Sequence, residues 1–255
     1  MKRARVAYAG GVWEAVAHPE GLELSDGRVV GEDAVVWLPP VQPRTILALG
    51  LNYADHAKEL AFKAPEEPLA FLKGPNTLIG HRGVTRLPQG VAQMHYECEL
   101  VVVIGKTARR VKRADAYAYV AGYTVANDYA LREYLENYYR PNLRVKNRDG
   151  CTPLGPWLVD AEDVGDPMDL ALRTTVNGEL VQSGSTRDMI FDVPYLIEYF
   201  SGFMTLQPGD IILTGTPDGV RFLKSGDLVV TEIDGVGRLE STVLIDSAYY
   251  QNQKS

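Results

Sequence analysis

Cysteine is scarce in this chain. Its 255 residues carry two, Cys98 and Cys151, far apart in the sequence. Two thiols build neither a cysteine-rich zinc site nor a disulfide framework. The expectation is a pair of reduced thiols in a cytoplasmic protein. Long apolar runs are also missing, and none approaches the roughly 20 residues of a membrane-spanning helix. The basic start "MKRARVAYAGG" has no apolar core of signal-peptide length. Positive charge is in deficit: 26 Lys and Arg against 33 Asp and Glu give a formal charge of −7. No basic patch stands out, which argues against a nucleic-acid partner. An anionic substrate would have to be met by locally placed cations. Neither an internal repeat nor a low-complexity tract is visible.

What is present is an ordinary globular composition, 45% apolar and 23% charged. Residues 1–43 read as a small β-like segment and linker. "RVAYAG", "GVWEAVA" and "AVVWLP" are strand-like, "HPEG" and "SDGR" are turns, and "LPPVQPR" is an extended proline-rich link. A main domain over 44–255 opens on "TILALGL" and continues through "ELVVVIG", "AGYTVAN", "LALRTTVNG", "DIILTG", "DLVVTEID" and "GRLESTVLI". Asn-Gly in "VNGE" and Asp-Gly in "IDGVG" mark tight hairpins. Helices are fewer. "YALREYLENYY" places Leu131, Tyr134, Leu135 and Tyr138 at helical spacing. "VPYLIEYFSGF" follows Asp192, a good N-cap, with Pro194 in its first turn. "NYADHAKELAF" reads as a short helix. Strands outnumber helices and do not alternate with them, so the expected class is a β-rich α+β fold.

One stretch, "MHYECELVVVIG", joins two glutamates to a buried strand. Glu97 and Glu99 are two apart and share a strand face. They either face water on an edge strand or hold a cation that offsets their repulsion. Asp128, in "VANDYALRE", ends a strand and supplies a third carboxylate. Three oxygen ligands without a supporting Cys or His set suit Mg²⁺, Mn²⁺ or Ca²⁺ rather than Zn²⁺, although His95 is near.

Around these residues the sequence resembles the fumarylacetoacetate hydrolase family. The matching stretches are "LALGLNYADHAKEL", "PLAFLKGPNTLIG", "YECELVVVIG", "GYTVANDYALRE", "KNRDGCTPLGPW", "VNGELVQSGSTRDMIF" and "LQPGDIILTGTPDGV", in family order over roughly residues 44–245. The resemblance implies the family's C-terminal-type mixed β-sheet roll with few helices. It also implies a metal held by Glu97, Glu99 and Asp128. "ENYYRPNLRVKNRDGCTP" is similar to the branch that degrades homoprotocatechuate, whose members decarboxylate an oxo-pentene tricarboxylate and isomerise the resulting hydroxy-dienedioate. The implied substrate is a small 2-oxo or 2-hydroxy di- or tricarboxylate, the implied chemistry runs through an enolate, and a homodimer or higher homo-oligomer is expected.

Lys146 in "RVKNRDG" stands where the family has its active-site lysine, with Asp149 three residues on as a supporting group. His56 and Glu59 in "NYADHAKEL" share a face if helical, either as a proton-moving dyad or as a surface pair. Lys73 in "FLKGPNT" and Arg132 in "YALRE" are expected to meet substrate carboxylates or to serve in structural ion pairs. Arg132 would lie one turn beyond Asp128 on the same helix face. In "ILTGTPDGV" the Walker lysine is missing, so the stretch reads as a strand-end loop. There Gly215 permits close approach and Thr216 offers a hydroxyl. Gln182 in "ELVQSGST" is a further polar contact. Two alternatives share these residues: an acylpyruvate hydrolase or oxaloacetate decarboxylase of the same family, and a non-catalytic binding protein on the same fold.

Overall fold

A computed structural model describes residues 1–54, 65–135 and 142–246. Among these, strands far outnumber helices and fall into three sheets. The class is the β-rich α+β expected from sequence. The largest sheet has 12 strands. At its centre runs Cys98–Ile104, buried at every position. It pairs antiparallel with Val120–Asn127 on one side and Ile211–Leu213 on the other. Ile211–Leu213 runs parallel to Ile46–Gly50, which pairs with the outermost strand, Leu69–Lys73.

The period of two in the central strand sorts its side chains. Cys98, Leu100, Val102 and Ile104 enter one apolar cluster. That cluster includes Val193, Leu196, Ile197 and Phe200 of the helix Val193–Phe203. Val101 and Val103 enter another cluster on the opposite face. Each such side chain contributes on the order of 2 kcal/mol by burial. The helix starts as its sequence indicates: Asp192 Oδ1 accepts from the Tyr195 N–H at 2.8 Å, and Pro194 sits in the first turn.

A five-stranded sheet packs beside the first and holds Ala171–Val176, Glu179–Ser185, Leu228–Ile233, Gly237–Asp246 and Gly83–Pro88. Its Asn177-Gly178 hairpin has φ of 52° and 85° at the two corner residues, as a tight turn of this hand requires. A two-stranded ribbon, Met94–His95 with Ala130–Leu131, leads into the central strand. That ribbon corrects one expectation. The described part of "YALREYLENYY" is a strand followed by a short 3₁₀ turn, Arg132–Tyr134, and not an α-helix. The pairing of Ala130 and Leu131 with His95 and Met94 overrides the helical spacing. Leu131 and Tyr134 still join one apolar cluster, while Leu135 is exposed. Tyr138 lies outside the described residues, as does most of "NYADHAKELAF".

Residues 1–38 form the expected meander, and its first strand joins the large sheet. Lys2–Tyr8 pairs antiparallel with Thr152–Asp160. Trp37 meets Trp157 and His81 edge-on, each at 5.2 Å between ring centroids. A Cβ at Gly80 would stand 2.1 Å from the Trp37 carbonyl oxygen, so only glycine admits this approach. His81 is buried at the seam, and its Nδ1 accepts from the Glu240 N–H at 3.1 Å. That bond needs a neutral ring. Burial, with Arg82 and Arg238 nearby, pushes its pKa down to about 4. The unfolded chain takes up this proton near pH 6.5 and the folded one does not until about 4. The group's contribution, up to about 3 kcal/mol, is therefore present above pH 6.5 and lost as pH falls to about 4. His81→Gln should flatten the decline in stability between those values, measured by urea unfolding at about pH 4.5 and about pH 7.5. An unchanged decline would assign it to other groups.

Candidate active site

Sheet register brings the three carboxylates together. Cys98 opposes Asn127 and Glu99 opposes Ala126. One step beyond the ladder, the Asp128 N–H donates to the Glu97 carbonyl oxygen at 2.9 Å. Glu97 and Asp128 thus face each other across two strand ends, with Glu99 two residues along on the same face. All three are buried, and one oxygen from each lies within 4.8 Å of the others. The open edge-strand alternative for Glu97 and Glu99 does not apply, because Cys98–Ile104 has a neighbour on each side.

Two lysines share this space. Lys146 closes a four-residue helix, Leu143–Lys146, and its Nζ donates to Glu97 Oε2 and, at 2.9 Å, to the Asp128 carbonyl oxygen. The same Nζ is 3.0 Å from Asp128 Oδ2. Burial opposes the Lys146 ammonium, but Asp128, Glu97 and Glu99 more than reverse this and hold its pKa above the usual lysine value. It stays charged. Lys73 Nζ donates to Asp128 Oδ1 at 2.6 Å and to the Lys146 carbonyl oxygen. Three carboxylates and two ammonium groups leave one negative charge if all are ionised. The strain falls on Glu99, where burial, then Asp128 and Glu97, raise the pKa well above the carboxylate range.

Glu99 also shows why a cation fits. Its Oε2 accepts from the Gly215 N–H at 2.7 Å, while its Oε1 is buried with no hydrogen-bond partner among the described residues. A buried carboxylate oxygen without a partner is costly. Three convergent carboxylates, with Glu99 Oε1 and Asp128 Oδ2 both accepting no hydrogen bond among the described residues, fit a hard divalent cation, which would keep Glu99 ionised. His95 Nε2 stands 3.7 Å from Glu97 Oε1 and adds one imidazole beside the oxygen set.

The remaining expected residues divide. Lys73, expected at a substrate carboxylate, has its ammonium group committed to Asp128 and the Lys146 carbonyl, with its side chain fully buried. In this structure it takes part in the ion pair that is its other expected role. Gln182, expected as a polar contact for substrate, is buried and spends its amide inside the protein. It accepts from Thr174 Oγ1 at 3.0 Å, and it donates to Thr216 Oγ1 and the Pro217 carbonyl oxygen at 2.9 Å each. Gly215 turns with φ of 88°, and a Cβ there would stand 2.9 Å from Asn52 Cβ. The close approach it permits is to Glu99 and Asn52. Thr216 is buried beside it. Arg132 follows the ribbon and is not on a helix with Asp128; its N–H donates to the Gln93 carbonyl oxygen at 2.8 Å. Asp149 is exposed and accepts from Asn76 Nδ2 at 2.7 Å, away from Lys146 Nζ. His56 and Glu59 lie outside the described residues.

Sequence reasoning passes over Asn52 and Asn127. Asn127 Oδ1 accepts from the Glu97 N–H at 2.9 Å and so fixes the strand end that carries the first carboxylate. Asn52 Nδ2 donates to the carbonyl oxygens of Thr214, at 2.7 Å, and Phe191, at 3.1 Å, and its Oδ1 accepts from the Phe191 N–H. Their only signal is position: Asn127 immediately precedes Asp128, and Asn52 closes the strand-like "LALGLN".

A mixed β-sheet roll with three buried carboxylates at a strand end, and lysines beside them, defines a class of β-rich folds centred on a carboxylate cluster that could hold a cation. The chain belongs to the fumarylacetoacetate hydrolase family: residues 45–244 match the family described as Fumarylacetoacetate (FAA) hydrolase C-terminal. It is 58% identical over 235 residues to the 4-hydroxyphenylacetate degradation bifunctional isomerase/decarboxylase of Salmonella dublin, a match covering 90% of this chain and 54% of that protein. The chain therefore spans about half the length of that curated relative. Among solved structures it is similar to 5-carboxymethyl-2-hydroxymuconate delta-isomerase from Mycobacterium smegmatis, with TM-score 0.86 and 36% identity, covering 97% of this chain and 100% of that one. It is also similar to maleylpyruvate hydrolase from Sphingobium sp. SYK-6 in complex with manganese (II) ion and pyruvate. There the TM-score is 0.83 and the identity 29%, covering 96% of this chain and 99% of that one.

The buried pair gives a direct test. Lys73→Met removes one of the two cations and leaves Asp128 undercompensated. Stability in a chelator should fall by about 3 kcal/mol, and added Mg²⁺ should recover part of the loss by restoring positive charge. Thermal unfolding with and without the ion checks both, and an unchanged midpoint would show that Lys73 does not stabilise the cluster.

Proposed function

We propose that this chain decarboxylates or isomerises a 2-oxo or 2-hydroxy dienoic di- or tricarboxylate in the degradation of an aromatic acid such as homoprotocatechuate. The observation that carries this reading is the buried acidic triad with Lys146 bridging Glu97 and Asp128. The name of the Salmonella relative supplies the reaction class.

Both reactions build negative charge on the 2-oxygen as an enolate. A divalent cation, Mg²⁺ or Mn²⁺, held by Glu97, Glu99 and Asp128 would supply Lewis-acid stabilisation of that charge. The chain's own residues do the rest. Lys146 faces the developing charge with a fixed ammonium, an interaction that strengthens as the reaction proceeds. Arg132 and Thr216 hold the substrate's carboxylates, and Gly215 holds Glu99 in place behind them. His56 and Glu59, which lie outside the described residues, are assigned the removal or return of the proton at carbon. Two buried free thiols fit a reducing, cytoplasmic setting. The working form is read as a homodimer or higher homo-oligomer, as the family resemblance implies; sedimentation reporting only monomer would remove this part.

A panel of 2-oxo dicarboxylates, tricarboxylates and acylpyruvates, assayed with Mg²⁺ or Mn²⁺, tests the reading. Glu97→Gln and Asp128→Asn should lose most divalent-cation affinity and the activity with it. Lys146→Met should keep cation binding while kcat falls by roughly two orders of magnitude. His56→Ala should slow isomerisation more than decarboxylation. Unchanged Mg²⁺ binding in both carboxylate variants would sink the metal assignment. Turnover confined to acylpyruvates would favour the hydrolase reading instead.

A further inference from the structure

A chain of buried polar side chains runs from the carboxylates to the loop after Leu213, and three of its members, Asn127, Thr174 and Thr231, are not singled out by the sequence. Beginning at Glu97, whose N–H donates to Asn127 Oδ1, it passes from Asn127 Nδ2 to Thr231 Oγ1 at 2.6 Å. Thr231 Oγ1 and Thr174 Oγ1 are 3.4 Å apart. Thr174 reaches Gln182 Oε1 at 3.0 Å, and Gln182 Nε2 reaches Thr216 Oγ1 at 2.9 Å. From Asn127 to Thr216, each member is at most 3% exposed. The Cys98 thiol, kept protonated by burial, also approaches Thr174.

Hydroxyl protons are not seen directly, but both ends of this chain fix them. A backbone N–H only donates, so Asn127 must turn its oxygen to Glu97 and its NH₂ to Thr231. A carbonyl oxygen only accepts, so Gln182 must turn its NH₂ to Pro217 and hence to Thr216. Its oxygen then faces Thr174, which must donate. With its own proton committed to Gln182, Thr174 accepts from Thr231, and Thr231 accepts from Asn127. Every proton runs one way. Thr216 is the end of the line: its oxygen accepts from Gln182, and its own proton has no acceptor among the described residues. Thr216 immediately follows Gly215, whose N–H is on Glu99.

We propose that Thr174 is a positioning residue, which by fixing the Gln182 amide commits the Thr216 hydroxyl as a donor to an anionic oxygen of a carboxylate ligand beside the triad. The proposal rests on the 2-oxo acid reading given above. If Thr174 loses its hydroxyl, Gln182 Oε1 is left buried without a donor. The Pro217 carbonyl still holds the NH₂, so the amide does not turn over, but with its oxygen untethered its NH₂ is no longer held on Thr216 Oγ1, and the Thr216 hydroxyl loses its fixed role as a donor to the ligand.

The test uses oxalate, a planar mimic of the enolate of a 2-oxo acid, titrated calorimetrically into the full chain with saturating Mg²⁺. Thr174→Val should weaken oxalate binding roughly tenfold, the scale of one charge-assisted hydrogen bond, with Mg²⁺ affinity unchanged. Thr174→Ser, which keeps the hydroxyl, should bind as wild type does. In a Thr216→Val background, Thr174→Val should weaken binding no further, because it acts through a donor already removed. A purely structural role for Thr174 would give additive losses in the double variant, and that result overturns the proposal. So does wild-type oxalate affinity in Thr174→Val. Should valine prevent folding, Thr174→Ala carries the same comparison without added bulk. If wild type itself binds Mg²⁺ but no oxalate, the functional reading falls and this inference with it. If wild type binds oxalate and Thr174→Val binds it equally, only the inference falls.

Discussion

Glu97, Glu99 and Asp128 share one buried space with the ammonium groups of Lys73 and Lys146, and the rest of the site answers to that balance. Buried charge is tolerated only when paired and hydrogen-bonded. Two carboxylates are paired in this way. Glu97 meets Lys146, and Asp128 meets both lysines. Glu99 has no direct lysine partner among the described residues and relies on one backbone N–H. Its raised pKa and its orphan oxygen are two views of the same deficit. A divalent ion would close it and turn the local sum from one negative charge to one positive. A cluster of that sign attracts a carboxylate, which a protein of net charge −7 otherwise repels.

Holding five charged groups in place requires a frame that does not yield. The carboxylates sit at the end of the central strand and its antiparallel neighbour, where register, not loop conformation, sets their spacing. Apolar clusters on both faces of the central strand hold that register. A slip of one residue would turn Glu99 to the face occupied by Leu100 and Val102, and would expel the apolar side chains from both clusters at once. Lys73 reaches Asp128 from the last position of the outermost strand, and Lys146 from the end of a single helical turn. Lys73 also donates to the Lys146 backbone, so the two cations are tied to each other as well as to their partners.

Much of this was legible in the sequence, and what was not has a common cause. Glu97 and Glu99 declare themselves by a spacing of two before an apolar run, since strand geometry converts that spacing into a shared face. Asp128 is legible as a carboxylate at a strand end. The hairpin at Asn177-Gly178 and the cap at Asp192 are local and therefore readable. Lys73 and Gln182 illustrate the limit. Residue type marks each as a polar group near the site, but whether it points to substrate or to protein depends on partners 55 and 34 residues away in sequence. The segment after Asp128 shows the same limit in backbone form. Its helical spacing is real, yet ladder bonds to Met94 and His95 decide its conformation, and these lie outside any local window. Asn127, Thr174 and Thr231 are invisible from sequence because a buried Asn or Thr in a strand has no pattern of its own.

Decarboxylation, isomerisation and C–C hydrolysis share one demand, stabilisation of charge on an enolate oxygen, and differ in what must be done with a proton or a water. On the proposed reading, the groups fixed here serve the shared demand. The triad, Lys146 and the Gly215 N–H are all buried, all anchored to the large sheet or the loop that follows it, and none is placed to carry a proton away. Among the three carboxylates the Lys146 ammonium is held as a fixed charge. On the proposed reading, selectivity among the three reactions would come from groups that approach the triad from outside this frame. His56 and Glu59 have the chemistry to move a proton, and Arg132 has the planar donors to orient a second carboxylate. A common charged floor with interchangeable proton-handling groups above it lets one family carry names as different as isomerase, decarboxylase and hydrolase on closely similar folds.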